Sequence, residues 1–142
     1  MGRLYFAYGS NMNPAQMLSR CPHSKAVAKA TVKGYKLAIN SRGVATIVKS
    51  ENSRVSGVVW KISASDEAAL DFFEGVHVGA YAKLRMDLCL GENRIANALV
   101  YVDKNSEAGV PRAGYLEKII RGAKFFGLGR DYISKLERLA YA

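Results

Sequence analysis

Two features of the chain carry residue types suited to chemistry: the carboxyl of Glu74 and the turn Tyr8-Gly9-Ser10-Asn11. Glu74 follows Leu70 by four residues in a segment of helical spacing, so it projects from the face expected to be buried. Phe72, Phe73 and Val76 flank it in sequence. It also falls in the last helical turn, where the helix dipole disfavours negative charge. Apolar surroundings and the dipole both push a carboxyl pKa upward, toward values useful for general acid–base catalysis. The alternative is an ordinary last-turn glutamate, rotated into solvent or paired with a lysine. Asp71, three residues earlier, points elsewhere on the helix and is expected to make a solvent or structural contact.

The turn is built differently. Arg3 to Tyr8 reads as a short strand that runs into Gly9-Ser10-Asn11 and then a helix, with Asn13 as N-cap and Pro14 at the first helical position. Gly9 permits a tight turn with positive φ, and Ser10 and Asn11 supply turn chemistry. A strand that breaks sharply before a helix leaves backbone N–H groups for a carboxylate or a developing oxyanion. A plain structural turn is the competing reading, since many such bends hold nothing.

Other candidates are thinner. His23 and His77 lack metal-ligand spacing; His77 lies just after Glu74, in position to line a pocket or simply to sit on the surface. Ser10 as a nucleophile would need a G-x-S-x-G elbow or a His-Asp partner set, and neither is evident, so it reads as a binding group. Tyr115 follows Gly114 at the start of a helix, either beside a cleft or in simple packing. Cys21 and Cys89 are the only cysteines, too few for a disulfide framework, and are expected as reduced thiols with Cys89 buried in an apolar strand.

The elements that must position these groups are legible from periodicity and punctuation. Ala26 to Asn40 is one or two strands bent at Gly34, and Val44 to Val48 is a short strand followed by a turn at Asn52-Ser53. Val55 to Ile62 is a strand rich in β-formers, with Gly57 where another backbone approaches closely. Ser63-Ala64-Ser65-Asp66 is a capping box that opens the Glu74 helix, and Gly75 stops it. Tyr81 to Leu90 and Arg94 to Val102 form a hairpin about Gly91-Glu92-Asn93. A polar loop over Asp103 to Ala113 precedes a helix from Tyr115 to Phe126, ended by Gly127, and a last helix over Asp131 to Ala140 buries Tyr132, Ile133, Leu136 and Leu139. Strands early and helices late predict an α+β fold with a curved sheet or small barrel, in a single domain over residues 1–142.

With 142 residues and 49% hydrophobic content, the chain can bury a sizeable core. No apolar run is long enough to span a bilayer, and the start shows no signal-peptide pattern, so a soluble cytosolic protein is expected. The net charge of +9 raises the question of nucleic acid. The basic residues are scattered, however, and the set from Lys25 to Lys36 fits one solvated strand face. Solubility and attraction for anionic metabolites are the simpler reading, with no specific nucleic acid and no membrane partner.

Three segments in order, Tyr5–Met12 (YFAYGSNM), Leu70–Tyr81 (LDFFEGVHVGAY) and Tyr115–Leu128 (YLEKIIRGAKFFGL), resemble the γ-glutamylcyclotransferase-like family, as does the strand Gly57-Val58-Val59-Trp60. The resemblance spans nearly the full length. It implies a small mixed β-barrel flanked by helices, with no cofactor and no metal. It also implies that Tyr8, Gly9, Ser10 and Asn11 form the substrate loop, that Glu74 is the essential acid/base and that Tyr115 is a pocket residue. The implied reaction converts a γ-glutamyl amino acid or γ-glutamyl amine to 5-oxoproline and the free amine. The chain is more compact than the longer animal members, with a short loop at Ser41–Gly43, so substrate selection is open; the glycine-loop pattern differs from that of glutathione-specific relatives. A non-catalytic member of the same fold, binding a small metabolite or a partner protein, is the alternative, and a homodimer is left open.

Overall fold

The computed structural model describes residues 3–76, 79–91 and 93–139. His77, Glu92 and Ala140, named above, lie outside the described residues. Five strands close into a barrel in the order β1 (Arg3–Ala7), β3 (Ala45–Ile62), β2 (Lys25–Ile39), β4 (Tyr81–Cys89) and β5 (Ile95–Asp103). Neighbours are antiparallel except where β5 meets β1, paired in parallel at Tyr5 and Leu99. The barrel is therefore mixed, and the α+β reading holds. Among the described residues four α-helices, α1 (Pro14–Arg20), α2 (Ala64–Phe73), α3 (Tyr115–Phe125) and α4 (Arg130–Arg138), flank it.

Local chemistry explains most element ends. The Asn13 side chain accepts from Ala15 and Gln16 N–H at the start of α1, with Pro14 at the first helical position. Ser63 and Asp66 cap each other reciprocally at the start of α2. In β1, Tyr5, Phe6 and Ala7 are all buried, because one face of the strand lines the barrel and the other lies under helices.

Two expectations needed correction. Val44 to Val48 and Val55 to Ile62 are not separate strands joined by a turn at Asn52-Ser53; β3 is continuous from Ala45 to Ile62. Its neighbour β2 pairs with both halves, and the mismatch is absorbed as a bulge. Lys33 pairs with Arg54 and Tyr35 with Lys49, so residues 50–53 loop out opposite Gly34, where Asn52 takes φ 66° and Gly34 φ 84°. The second correction concerns the cysteines. Cys21, at the end of α1, is fully buried, with Sγ 3.6 Å from Asp66 O, whereas Cys89 is half-buried.

Close backbone packing sets the position of the Gly9 turn. A Cβ at Gly57 would collide with Ala7 O and lie 2.8 Å from the Phe6 ring, so β3 lies tight against the end of β1. A Cβ at Gly122 would lie 2.6 Å from the Met12 carbonyl carbon, so α3 rests directly on the backbone beyond the turn.

Candidate active site

Between the end of β1 and the end of α2 lies a cavity of about 310 Å³. Glu74, Tyr8, Gly9, Ser10, Asn11 and Tyr115 all line it, although they come from three distant segments.

Ser10 to Met12 form one turn of 3-10 helix, joined to α1 through Asn13. The first N–H groups of such a turn have no partner within it. Gly9 does not take the positive φ expected of it; its φ is −110°. Space is tight there instead: a Cβ would lie 3.2 Å from the Tyr115 hydroxyl, which would have to give by a few tenths of an ångström. Side chains brace the turn from behind. Asn11 Nδ2 donates to Tyr5 Oη at 3.0 Å, and Asn11 Oδ1 accepts from Gln16 Nε2 at 3.0 Å and Arg20 Nη1 at 3.1 Å. Gln16 Nε2 also donates to Ser10 Oγ at 2.6 Å. The Asn11 amide is thus committed to holding the loop, and the turn offers the cavity its backbone and the Ser10 hydroxyl proton. Among the described residues no base stands within hydrogen-bonding distance of Ser10 Oγ, which leaves the nucleophile reading without support.

Glu74 is the C-cap of α2, its N–H directed to Leu70 O and Phe72 O, and Gly75 with φ 64° turns the chain away. Its carboxyl pKa is pushed up to about 7. Burial is the main cause; the nearby Arg20 guanidinium opposes it, Asp103 adds to it, and Arg42 opposes it more weakly. The upward direction agrees with expectation, but the flanking phenylalanines contribute less burial than expected. Phe72 is 69% exposed and Phe73 51%, with the Arg20 guanidinium 4.8 Å from the Phe73 ring centre. The wall that desolvates Glu74 is made of tyrosines, Tyr5, Tyr8, Tyr81 and Tyr115, which line the same cavity. Burial raises the pKa of each of these phenols, and the Glu74 charge raises it further.

The Tyr8 hydroxyl donates to Tyr101 O at 2.7 Å, so it seals the wall. The Tyr115 hydroxyl accepts from Ala45 N–H at 3.0 Å, and its own proton has no acceptor among the described residues. Asp71 lies outside the cavity lining: it accepts from Tyr101 Oη at 2.6 Å and from Lys83 Nζ at 3.0 Å, the structural contact expected of it.

The sequence reading missed four cations. Arg20, Arg42, Arg112 and Lys118 line the cavity, against one lining carboxylate among the described residues, Glu74. Arg42 is ion-paired with the buried Asp103 and stands 5.7 Å from the Tyr81 ring centre. Arg20 had a usable signal, being four residues after Gln16 on one face of α1, the helix that the turn leads into. Arg42 and Arg112 sit on loops tied together by Arg112 Nε donating to Arg42 O at 2.7 Å, a pairing without local sequence cue. The assembled site can take up a proton near neutral pH and hold a substrate bearing negative charge.

Residues 54–136 match the model of the AIG2-like family. A human protein named Gamma-glutamylcyclotransferase is 34% identical over 96% of this chain and 78% of its own length. The mouse protein of the same name is 32% identical with the same coverage. A solved structure of a gamma-glutamyl cyclotransferase superposes with a TM-score of 0.90 at 33% identity, over 96% of this chain and 87% of that one.

Proposed function

Because the chain belongs to the AIG2-like, γ-glutamylcyclotransferase family, we propose that it converts a γ-glutamyl amino acid or γ-glutamyl amine to 5-oxoproline and the free amine. The observation that carries the proposal is the sharing of one cavity by Glu74, with its carboxyl pKa near 7, and the Gly9-Ser10-Asn11 turn.

The substrate's α-amino group is protonated at neutral pH and must lose a proton before it attacks its own γ-carbonyl. Glu74 takes that proton. The α-nitrogen then bonds to the γ-carbonyl carbon, closing a five-membered ring, and the carbonyl oxygen becomes an oxyanion. Collapse breaks the original amide bond as the Glu74 carboxyl gives that proton to the departing nitrogen; the freed carboxylate then takes the second proton from the ring nitrogen and passes it to the amine, so the lactam leaves neutral and the amine as its ammonium ion. One carboxyl serves as base and then acid, and no covalent enzyme intermediate forms. A pKa close to ambient pH suits this double duty, because neither protonation state is held too tightly.

The N–H groups of the turn hold a substrate oxygen anion, either the α-carboxylate or the oxyanion of the tetrahedral intermediate. The lining cations favour a substrate with free carboxylates. A cavity of about 310 Å³ holds the γ-glutamyl unit bent for ring closure, the source of a proximity gain. Among the described residues no helix is long and apolar enough to cross a membrane, and the reading is of a cytosolic enzyme.

The test is a panel of γ-glutamyl dipeptides and γ-glutamylamines incubated with purified protein and read out as 5-oxoproline. Release from at least one member, dependent on Glu74, is the expected result. Ligand-induced thermal stabilisation with no 5-oxoproline from any member would replace this reading with a non-catalytic binding protein.

A further inference from the structure

A second cavity, of about 560 Å³, shares no lining residue with the first. It lies on the outer face of the sheet where β3, β2 and β4 run side by side. Lys29, Thr31 and Lys33 alternate along β2, and Arg54 and Ser56 along β3, so all five point to the same side of the ribbon. Thr31 pairs with Ser56 on one flank and with Cys89 on the other. The Gly127-Leu128 turn after α3 runs along one side and Leu90-Gly91 along another, so the space is an open cleft of ligand size.

Among the described residues the charges in this cleft lack counterparts. Lys33 stands directly opposite Arg54 in the β2–β3 register, a like-charge cross-strand pair that opposes folding. Among the described residues neither has an ion-pair or hydrogen-bond partner. Lys29 makes one hydrogen bond, from Nζ to Gly127 O at 3.3 Å, and among the described residues no carboxylate lines the cleft. Ser56 is 9% exposed, and its hydroxyl has no partner among the described residues, although it lines the cavity between the cations. A cation pair with no ion-pair partner among the described residues, beside a hydroxyl free to donate into the same cleft, makes an incomplete anion site.

We infer that this outer-face cleft binds a small, multiply charged anion bearing phosphate or carboxylate groups. One anionic group lies between Lys33 and Arg54, the Ser56 and Thr31 hydroxyls donate to it, and Lys29 meets a second group farther along β2.

The experiment titrates the full chain with inorganic pyrophosphate and, separately, with citrate, by calorimetry at about 0.15 M salt. Saturable one-to-one binding is expected, weakened about tenfold or more in the Lys33→Ala/Arg54→Ala double variant. Arg112→Ala, which alters the other cavity, should leave the affinity unchanged. Citrate and pyrophosphate distinguish the two kinds of anionic group, and binding of either supports the site. Alkylation of Cys89 should slow when the anion is bound, with buried Cys21 as the unreactive control. The double variant should melt at or above the parent temperature without anion, since a like-charge pair has been removed, and should release 5-oxoproline at the parent rate. Absence of saturable binding for both anions overturns the inference. So does binding that Arg112→Ala abolishes and the double variant keeps, or binding seen only with a duplex DNA oligomer and lost at modest salt. A lower melting temperature for the double variant would remove the argument from unpaired charge.

Discussion

The Tyr115 hydroxyl lies against the backbone of Gly9, 3.2 Å from where a Cβ would stand, while accepting the Ala45 N–H at 3.0 Å. One phenol thus joins the start of α3, the start of β3 and the Gly9 turn. Gly9→Ala should push the hydroxyl off Ala45 and raise KM for the γ-glutamyl substrate. Tyr115→Phe leaves the Ala45 N–H without its partner and should destabilise by about 1–3 kcal/mol. Because the phenylalanine lacks the oxygen that the methyl of Gly9→Ala would meet, the two substitutions should be less than additive. Denaturant unfolding of the two single variants and the double variant measures this coupling; strict additivity would mean that the contact carries no energy.

The raised pKa of Glu74 makes stability depend on pH. The folded carboxyl titrates near 7 against an ordinary value of 4.5, so between those pH values the folded state holds a proton that the unfolded state has released. Stability therefore falls as pH rises from about 4.5 to about 7 and stays lower above that window. The full effect is about 3 kcal/mol. Glu74→Gln, neutral at every pH, should lack this fall and be more stable than the parent at pH 8. Parallel urea titrations of both proteins at pH 5 and pH 8 check it, and parallel pH trends in the two would contradict it.

Arg20 stabilises the ionised form of Glu74 and also braces Asn11 Oδ1. Its removal should raise the Glu74 pKa further. Since the base must be ionised to accept the substrate's proton, the acid limb of kcat/KM should sit near pH 7 in the parent and move to higher pH in Arg20→Ala. A pH–rate profile of each protein measures the displacement. A limb that stays in place or moves to lower pH would show that Arg20 does not act on Glu74.

The Gly122 position tests whether α3 sets the turn. With Met12 backbone atoms 2.6 and 2.7 Å from the place a Cβ would occupy, Gly122→Ala must push α3 off the 3-10 turn. Overpacking of this kind destabilises by about 1–3 kcal/mol. Activity should drop beyond what the unfolded fraction explains, because the N–H groups proposed to hold the substrate move with Met12. Thermal melts alongside initial rates separate the two effects.

What could be read in the sequence was what local chemistry determines. The Ser63–Asp66 box and the Asn13-Pro14 start act within one turn and stand as expected. The α3 helix, with Leu116, Ile119 and Ala123 buried, follows from periodicity alone. The β3 bulge was hidden because Asn52 and Gly34 are turn residues by type, and only pairing with β2 keeps the strand continuous through them. Gly9 does not take the positive φ its type suggests, and the atom that would crowd a Cβ there belongs to Tyr115, far along the chain. Cys21 outranks Cys89 in burial because α1 packs toward α2, whereas Cys89 ends β4 beside the outer cleft. The four lining cations come from α1, two loops and α3, and no single segment shows them converging.

The central claim is that Glu74 moves the proton on a γ-glutamyl substrate held at the Gly9 turn. Its most direct test is turnover by Glu74→Gln, followed as 5-oxoproline, beside calorimetric binding of the same substrate to that variant. The account predicts a loss in kcat of about 10²–10⁴-fold with binding largely retained. Turnover at the parent rate in a folded Glu74→Gln protein would contradict it.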